Sequence, residues 1–118
     1  MFLDKLSRVS NRIPGARALC LVDGDGIPVE SVAADASIDL DLLAAELVAR
    51  VRTISDDRAG LAMGQVEQLS VVTDRLTVVV SSVGGGYYLL LVLGPEGIYG
   101  RARYELRRAR LLLQDELV

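Results

Sequence analysis

Segments with a helical pattern of apolar residues alternate along this chain with short β-rich runs. The helical pattern, in which apolar residues recur three or four positions apart, occurs in three segments. The first segment carries Phe2, Leu6, Val9 and Ile13. Residues 40–55 contain neither Gly nor Pro and predict a long central helix, which Ser37 or Asp39 can cap. A third stripe predicts a C-terminal helix and consists of Ile98, Ala102, Leu106, Ala109, Leu113 and Leu117.

Five β-rich runs lie between these helices. The runs 16–22 and 27–33 flank Asp23-Gly24-Asp25-Gly26, which predicts a hairpin because glycine permits the positive φ of a tight turn. The runs 65–73, 76–83 and 87–93 follow one another across short turns and predict an antiparallel meander. We therefore expect residues 1–118 to form one α/β domain of order α-β-β-α-β-β-β-α. Its five-stranded, mostly antiparallel sheet would carry the central helix on one face, with the terminal helices packed on the sheet.

The central helix has two apolar faces. The wider face is predicted to pack on the sheet and consists of Leu40, Leu43, Ala44, Leu47, Val48, Val51 and Ile54. Leu42, Ala45 and Ala49 lie on the opposite side, where two small residues would let another helix approach closely. The alternative is that Ala is a good helix former and that one exposed Leu needs no partner.

The third strand gives a second indication of self-association. It is apolar at Val66, Leu69, Val71 and Val72 and contains neither Pro nor Lys. If this strand lies at an edge of the sheet, a twofold-related copy would cover it. The predicted dimer interface thus consists of Leu42, Ala45, Ala49, Val66, Leu69 and Val71.

Composition narrows the possible functions. The net charge of −3 argues against a dedicated nucleic-acid binder, which usually has a strongly basic face. The single cysteine excludes an intrachain disulfide. The first residues do not resemble a signal peptide, and the longest apolar run has seven residues, far below the roughly 20 that span a bilayer. A cytoplasmic protein without a transmembrane segment is expected.

The residues of common catalytic sites are missing from this sequence. It has no His, the commonest general base and zinc ligand, and no second Cys. Asp23-Gly24-Asp25-Gly26 is similar to a calcium loop, but a ligand position falls on Ile27. Gly84-Gly85-Gly86 is not followed by the Lys of a phosphate-binding loop. We expect no enzymatic activity, no cofactor and no metal.

Arginines concentrate in the C-terminal helix. Arg103, Arg107 and Arg110 share one face, and Arg101 and Arg108 lie beside another. This basic surface is either a solvated helix face or a contact for acidic lipid or an acidic partner, so peripheral membrane contact stays open.

The chain as a whole resembles the roadblock family, which includes dynein light chains of the roadblock type. The resemblance rests on the element order, on Ile13-Pro14-Gly15 before the first strand, on the hairpin 21–26 and on residues 103–108 of the last helix. It implies homodimers or heterodimers that join two sheets edge to edge and pair their central helices.

Bacterial roadblock proteins commonly act beside small Ras-like GTPases. The resemblance therefore implies a non-enzymatic homodimeric regulator or adaptor that engages the switch regions of such a GTPase, which would itself carry the nucleotide and Mg²⁺. Arg50, Arg52 and Arg58 are the candidate partner contacts. The alternatives are a purely structural dimerisation or scaffold module and a small-ligand sensor.

Overall fold

A five-stranded sheet lies at the centre of the computed structural model, which describes residues 2–33, 35–56 and 64–113. The described helices are α1 (Phe2–Asn11), α2 (Leu40–Ser55) and α3 (Tyr99–Leu113). The described strands are β1 (Ala16–Val22), β2 (Pro28–Ala33), β3 (Gln68–Val72), β4 (Thr77–Gly84) and β5 (Tyr87–Leu93). The predicted element order is thus confirmed. None of these helices is long and apolar enough to cross a membrane.

The strand order is β2-β1-β5-β4-β3, and every neighbouring pair is antiparallel. The predicted hairpin β1-β2 and the predicted meander β3-β4-β5 are both present. They join because β1 pairs with β5, with Leu19 opposite Leu91. This arrangement leaves β2 and β3 at the two edges, so the condition on which the sequence made strand pairing through β3 depend is met.

Each face of the sheet packs against helices, so the core has two halves. On one face, Leu19 of β1 and Leu91 of β5 pack against α1 and α3. On the other face, Cys20 of β1 and Leu90 of β5 pack against α2. Because alternate side chains of the central strands enter opposite halves, these strands are continuously apolar rather than alternating. The predicted placement of the helices on the sheet is confirmed.

The start of α2 follows from its capping residue. Asp39 takes an extended conformation, and its carboxylate accepts a hydrogen bond from the backbone N–H of Leu42 at 3.1 Å. This bond satisfies an amide that has no carbonyl partner within the helix. Of the two predicted caps, Asp39 rather than Ser37 therefore begins the helix.

Several predicted boundaries shift in the structure. β3 begins at Gln68 rather than at residue 65, so Val66 precedes the strand, and β4 occupies Thr77–Gly84 rather than 76–83. β2 begins at Pro28 because the N–H of Ile27 belongs to the turn and donates to the Asp23 carboxylate at 3.0 Å.

The apolar stripe of α3 is shorter than predicted. Ala102, Leu106, Ala109 and Leu113 are buried as expected. Ile98 is 63% exposed, and its contribution to the helix is a carbonyl that accepts from the N–H of Ala102. The prediction that Ile98 is part of the stripe of this helix was wrong, because the residue precedes the helix. The last predicted member, at position 117, lies outside the described residues.

Candidate functional site

The solvent side of α2 presents small and apolar side chains. Leu42 is 60% exposed, and Ala45 and Ala49 are exposed beside it. Their neighbours Ala44 and Val48 point the other way and are buried. The two-faced helix predicted from the sequence is thus present. We call the surface formed by Leu42, Ala45 and Ala49 the outer α2 face.

β3 forms an edge of the sheet that is open to another strand. Its outer side has no neighbouring strand in the described part of the chain. Val71 is 39% exposed and Val72 is 70% exposed. The opposite edge, β2, contains Pro28, which lacks an N–H, and the charged Glu30, and both features discourage pairing. β3 has no such protection.

The end of α2 lies next to the residues that lead into β3. The N–H of Val66 donates to the Ser55 hydroxyl at 3.1 Å. Val66 and Leu69 are half-buried and pack against the half of the core that lies under α2. Of the six residues predicted for a dimer interface, the three on α2 and Val71 are therefore exposed, whereas these two are partly covered by their own chain.

The arginines predicted to contact a partner differ in the interactions that they already make within the chain. The Arg50 side chain is 70% exposed, and its guanidinium lies 3.6 Å from the Glu46 carboxylate one turn earlier. The Arg52 guanidinium instead donates to the carbonyl of Gly24 at 3.1 Å and lies 3.9 Å from the Asp25 carboxylate. Arg52 thus links α2 to the β1-β2 hairpin. The third candidate, Arg58, lies outside the described residues.

In the acidic turn between β1 and β2, the carboxylate of Asp23 accepts hydrogen bonds from backbone groups of the turn itself. One oxygen of Asp23 accepts backbone N–H groups from Asp25 at 2.9 Å and from Ile27 at 3.0 Å. Gly26 follows with a φ of 82°, which a side chain would disfavour. The predicted hairpin turn is therefore what this motif forms. Within residues 2–33, 35–56 and 64–113, no group of three or more His, Cys, Asp or Glu side chains is placed to hold a metal ion.

Cys20 is a core residue. It is fully buried in β1, and its thiol donates to the Leu21 carbonyl at 3.6 Å. Burial raises the pKa of the Cys20 thiol to about 11, and the negative charge of Asp41 adds to the shift. A thiol in this state is a poor nucleophile at neutral pH, because the thiolate is the reactive form.

The arginines of α3 divide into two sets, as their helical spacing predicted. Arg101 and Arg108 lie 3.7 Å and 3.3 Å from the carboxylate of Glu105, which is 2% exposed. The other set lies on the side of α3 that faces β3 and β4, where it lines a groove of about 390 Å³. We call this feature the arginine groove and define it by Arg103, Arg107, Arg110, Glu67, Gln68 and Ser81.

Sequence reasoning found the arginine face but missed the groove. The Arg103 Nε donates to the Gln68 side-chain oxygen at 3.1 Å, and the Tyr99 hydroxyl donates to the Ser70 hydroxyl at 2.6 Å. The polar positions of β3 thus face α3. Gln68 and Ser70 alternate with Leu69 and Val71 in the sequence, and this alternation was the available signal.

The fold is shared with solved structures, although no known family model and no curated protein matches this sequence. A Roadblock/LC7 domain from Streptomyces avermitilis superposes with a TM-score of 0.85 at 22% identity, covering 98% of this chain and 96% of that one. MglB from Myxococcus xanthus superposes with a TM-score of 0.84 at 17% identity, covering 97% and 92%. At these identities the likeness shows the fold.

A third structure is more similar in sequence. MglC from Myxococcus xanthus is 30% identical, with a TM-score of 0.71, and the superposition covers 98% of each chain. Identity at this level over nearly the whole of both chains indicates common descent as well as a common fold.

Proposed function

Because this chain belongs to the Roadblock/LC7 family, we propose that it is a non-enzymatic homodimeric regulator or adaptor of a small Ras-like GTPase. The observation that carries the proposal is that two apolar surfaces are exposed in the described part of the chain, the outer α2 face and the β3 edge. The hydrogen bond from Val66 to Ser55 ties the segment that leads into β3 to the end of α2. We infer that one twofold-related partner covers both surfaces.

The first occupant of these surfaces is a second copy of the chain. Pairing β3 with its twofold-related copy would satisfy the outer backbone groups of both strands and make one continuous sheet. The same twofold axis would bring the outer α2 faces together. Ala45 and Ala49 permit close approach of two helices, and Leu42 adds apolar surface. The expected interface keeps the six residues predicted from the sequence, of which Val66 and Leu69 are half-buried within their own chain.

The GTPase would supply the nucleotide chemistry. This sequence has no phosphate-binding loop of the GxxxxGK[ST] type, so the nucleotide and Mg²⁺ belong to the partner. A regulator acts by binding one conformation of the switch segments better than the other, and the difference in affinity sets how far it shifts their equilibrium. A surface built from two α2 helices would present one rigid platform to those segments.

Arg50 is the arginine best placed to contact the GTPase. It projects from α2 and, within the part of the chain that the structure describes, its ion pair is with Glu46, an exposed pair that is weak in water. Arg52 would have to leave the hairpin first. An arginine inserted in trans can raise GTP hydrolysis by about 10³ to 10⁵. Arg58 remains a candidate from the sequence.

Light scattering and calorimetry test the proposal. The chain alone should have twice its mass of 12.7 kDa. It should then be titrated with a Ras-like GTPase from the same genome, loaded with GDP or with a non-hydrolysable GTP analogue. Arg50→Ala is the contact variant, and Arg8→Ala, exposed on α1, is its matched control. Binding that is stronger for one nucleotide state and weakened by Arg50→Ala alone would support a regulator.

The other outcomes decide between the alternatives. Equal binding of both nucleotide states would favour a structural adaptor over a regulator. A dimer that binds no Ras-like GTPase of its genome would contradict the GTPase role and leave the dimerisation module. A monomer would contradict the interface itself.

A further inference from the structure

The arginine groove lies on the face of the sheet that carries α1 and α3, away from the outer α2 face. We propose that this groove binds an acidic peptide segment of a protein partner. The site does not depend on the proposed GTPase role, because it uses the opposite face of the sheet.

The groove carries more positive charge than its surroundings balance. The Arg110 guanidinium lies 3.8 Å from the Glu67 carboxylate, and Arg103 donates to the neutral Gln68 amide. Arg107 forms no ion pair or hydrogen bond within the described ranges. Among the described residues that line the groove, three arginines therefore face one carboxylate, in a chain whose net charge is −3. Glu105, the acidic residue of α3, is buried on another side of the helix and lies beside Arg101 and Arg108.

The shape of the groove suits a bound segment. Its volume of about 390 Å³ is within the range of ligand-binding clefts. Ser81, 5% exposed, lies at its floor, and Gln68 lies on the wall formed by β3. Guanidinium groups bind carboxylates through two parallel N–H donors. Arg107, and Arg103 through the terminal N–H groups that its bond to Gln68 leaves unused, can each hold one acidic side chain.

The spacing of the arginines favours an extended acidic peptide. Arg103 and Arg107 are four residues apart on α3, which corresponds to a rise of about 6 Å. Side chains on one side of an extended peptide are separated by about 6.6–6.8 Å, the length of two residues. Acidic residues at alternate positions can therefore meet successive arginines.

The concave shape of the groove favours a peptide over a membrane surface as its ligand. Arg103 and Arg110 fold back onto β3 and its preceding residue, and Ser81 is recessed between helix and sheet. A flat bilayer would contact the rim of the groove and leave this floor unused. A peptide can insert its side chains, because they project from a narrow backbone.

Fluorescence anisotropy tests the proposal with a labelled hexapeptide of alternating glutamate and serine, at low ionic strength. The groove variant is Arg103→Gln/Arg107→Gln. The matched control is Arg8→Gln/Arg75→Gln, which removes the same charge from exposed positions on α1 and in the β3-β4 turn. Thermal unfolding of each variant verifies that it is folded. We expect the groove variant to bind about tenfold more weakly than the unmodified chain, and the control to change affinity by less than about twofold.

Three results would overturn the proposal. One is that the unmodified chain does not bind the peptide. Another is an equal loss in both variants, which would indicate general charge attraction. The third is binding to phosphatidylserine vesicles, lost with Arg103 and Arg107, without binding to the peptide. None of these results bears on dimerisation or on GTPase binding, which are measured separately.

Discussion

Gly15 and Gly97 lie back to back where the chain enters β1 and leaves β5. A Cβ added to Gly15 would be 2.6 Å from the Gly97 Cα, a distance that real Cβ atoms do not adopt. The carbonyl of Gly15 also accepts the N–H of Gly94 at 2.9 Å. This contact therefore holds the start of β1 against the segment that follows β5, and it requires glycine at position 15.

Gly15→Ala should lower the free energy of unfolding by about 2–5 kcal/mol. The φ of Gly15 is 84°, where a side chain costs roughly 1–2 kcal/mol, and the clash with backbone adds about 1–3 kcal/mol. Gly86→Ala is the control, because its φ is 80° but an added Cβ meets nothing within 4 Å. Urea denaturation measures both. Equal losses would show that the close approach to Gly97 contributes nothing.

The buried carboxylate of Glu105 should stabilise α3 more than an exposed ion pair does. Glu105→Gln keeps the volume of the side chain but removes its attraction to Arg101 and Arg108. Since both arginines are about half exposed, solvent screening limits the expected loss to about 1–2 kcal/mol. Glu46→Gln, which breaks the exposed pair with Arg50, should cost less than about 0.5 kcal/mol. A larger loss at Glu46 would contradict this difference.

The thiol of Cys20 should make stability fall at alkaline pH. Its pKa is about 11 in the folded protein, against 9.0 for an unperturbed thiol. A raised folded pKa means that the folded state holds the proton more tightly, so its stability is complete below pH 9.0 and falls between pH 9.0 and about 11. Cys20→Ala should remove this part of the decline. Unfolding followed by circular dichroism across that pH range gives the comparison, and identical profiles would refute it.

The elements that could be predicted correctly are those whose ends are determined by neighbouring residues in the sequence. The bounds of β1 and β5 were correct because continuous apolar runs end there at Asp23-Gly24 and Gly94-Pro95. α2 was correct because Asp39 caps a segment without Gly or Pro. Ile98 was misplaced because its spacing fits the α3 stripe although the helix starts one residue later. The spacing alone cannot show where a helix begins.

The arginine groove depends on contacts between distant segments, so the polar alternation of β3 indicated a polar strand face but not what that face meets. Arg103 and Gln68 are 35 residues apart in sequence and meet because β3 occupies the edge beside β4, over which α3 packs. The helical spacing of Arg103, Arg107 and Arg110 gave their common face. The strand order decides that this face lies against β3 and β4, and the pattern of apolar residues does not determine the strand order.

The outer α2 face gives the sharpest test of the proposed dimer. Ala45→Glu and Ala49→Arg each place a charge where two helices would meet, and an unpaired buried charge costs about 3–5 kcal/mol. The dimer dissociation constant should rise by about two orders of magnitude or more. Both positions are exposed in the isolated chain, so the thermal stability of the monomer should change little. Sedimentation velocity over a concentration series measures the dissociation constant.

A matched substitution separates this interface from an association through α3. Leu111 is 71% exposed on α3, and Leu111→Glu adds the same charge as Ala45→Glu on the other side of the sheet. Val71→Lys tests the β3 edge, because a lysine there discourages strand pairing. If β3 and α2 share one interface, Val71→Lys and Ala45→Glu should both weaken the dimer and Leu111→Glu should not. A dimer lost with Leu111→Glu and retained with Ala45→Glu would move the interface to α3, where it would compete with peptide binding at the arginine groove.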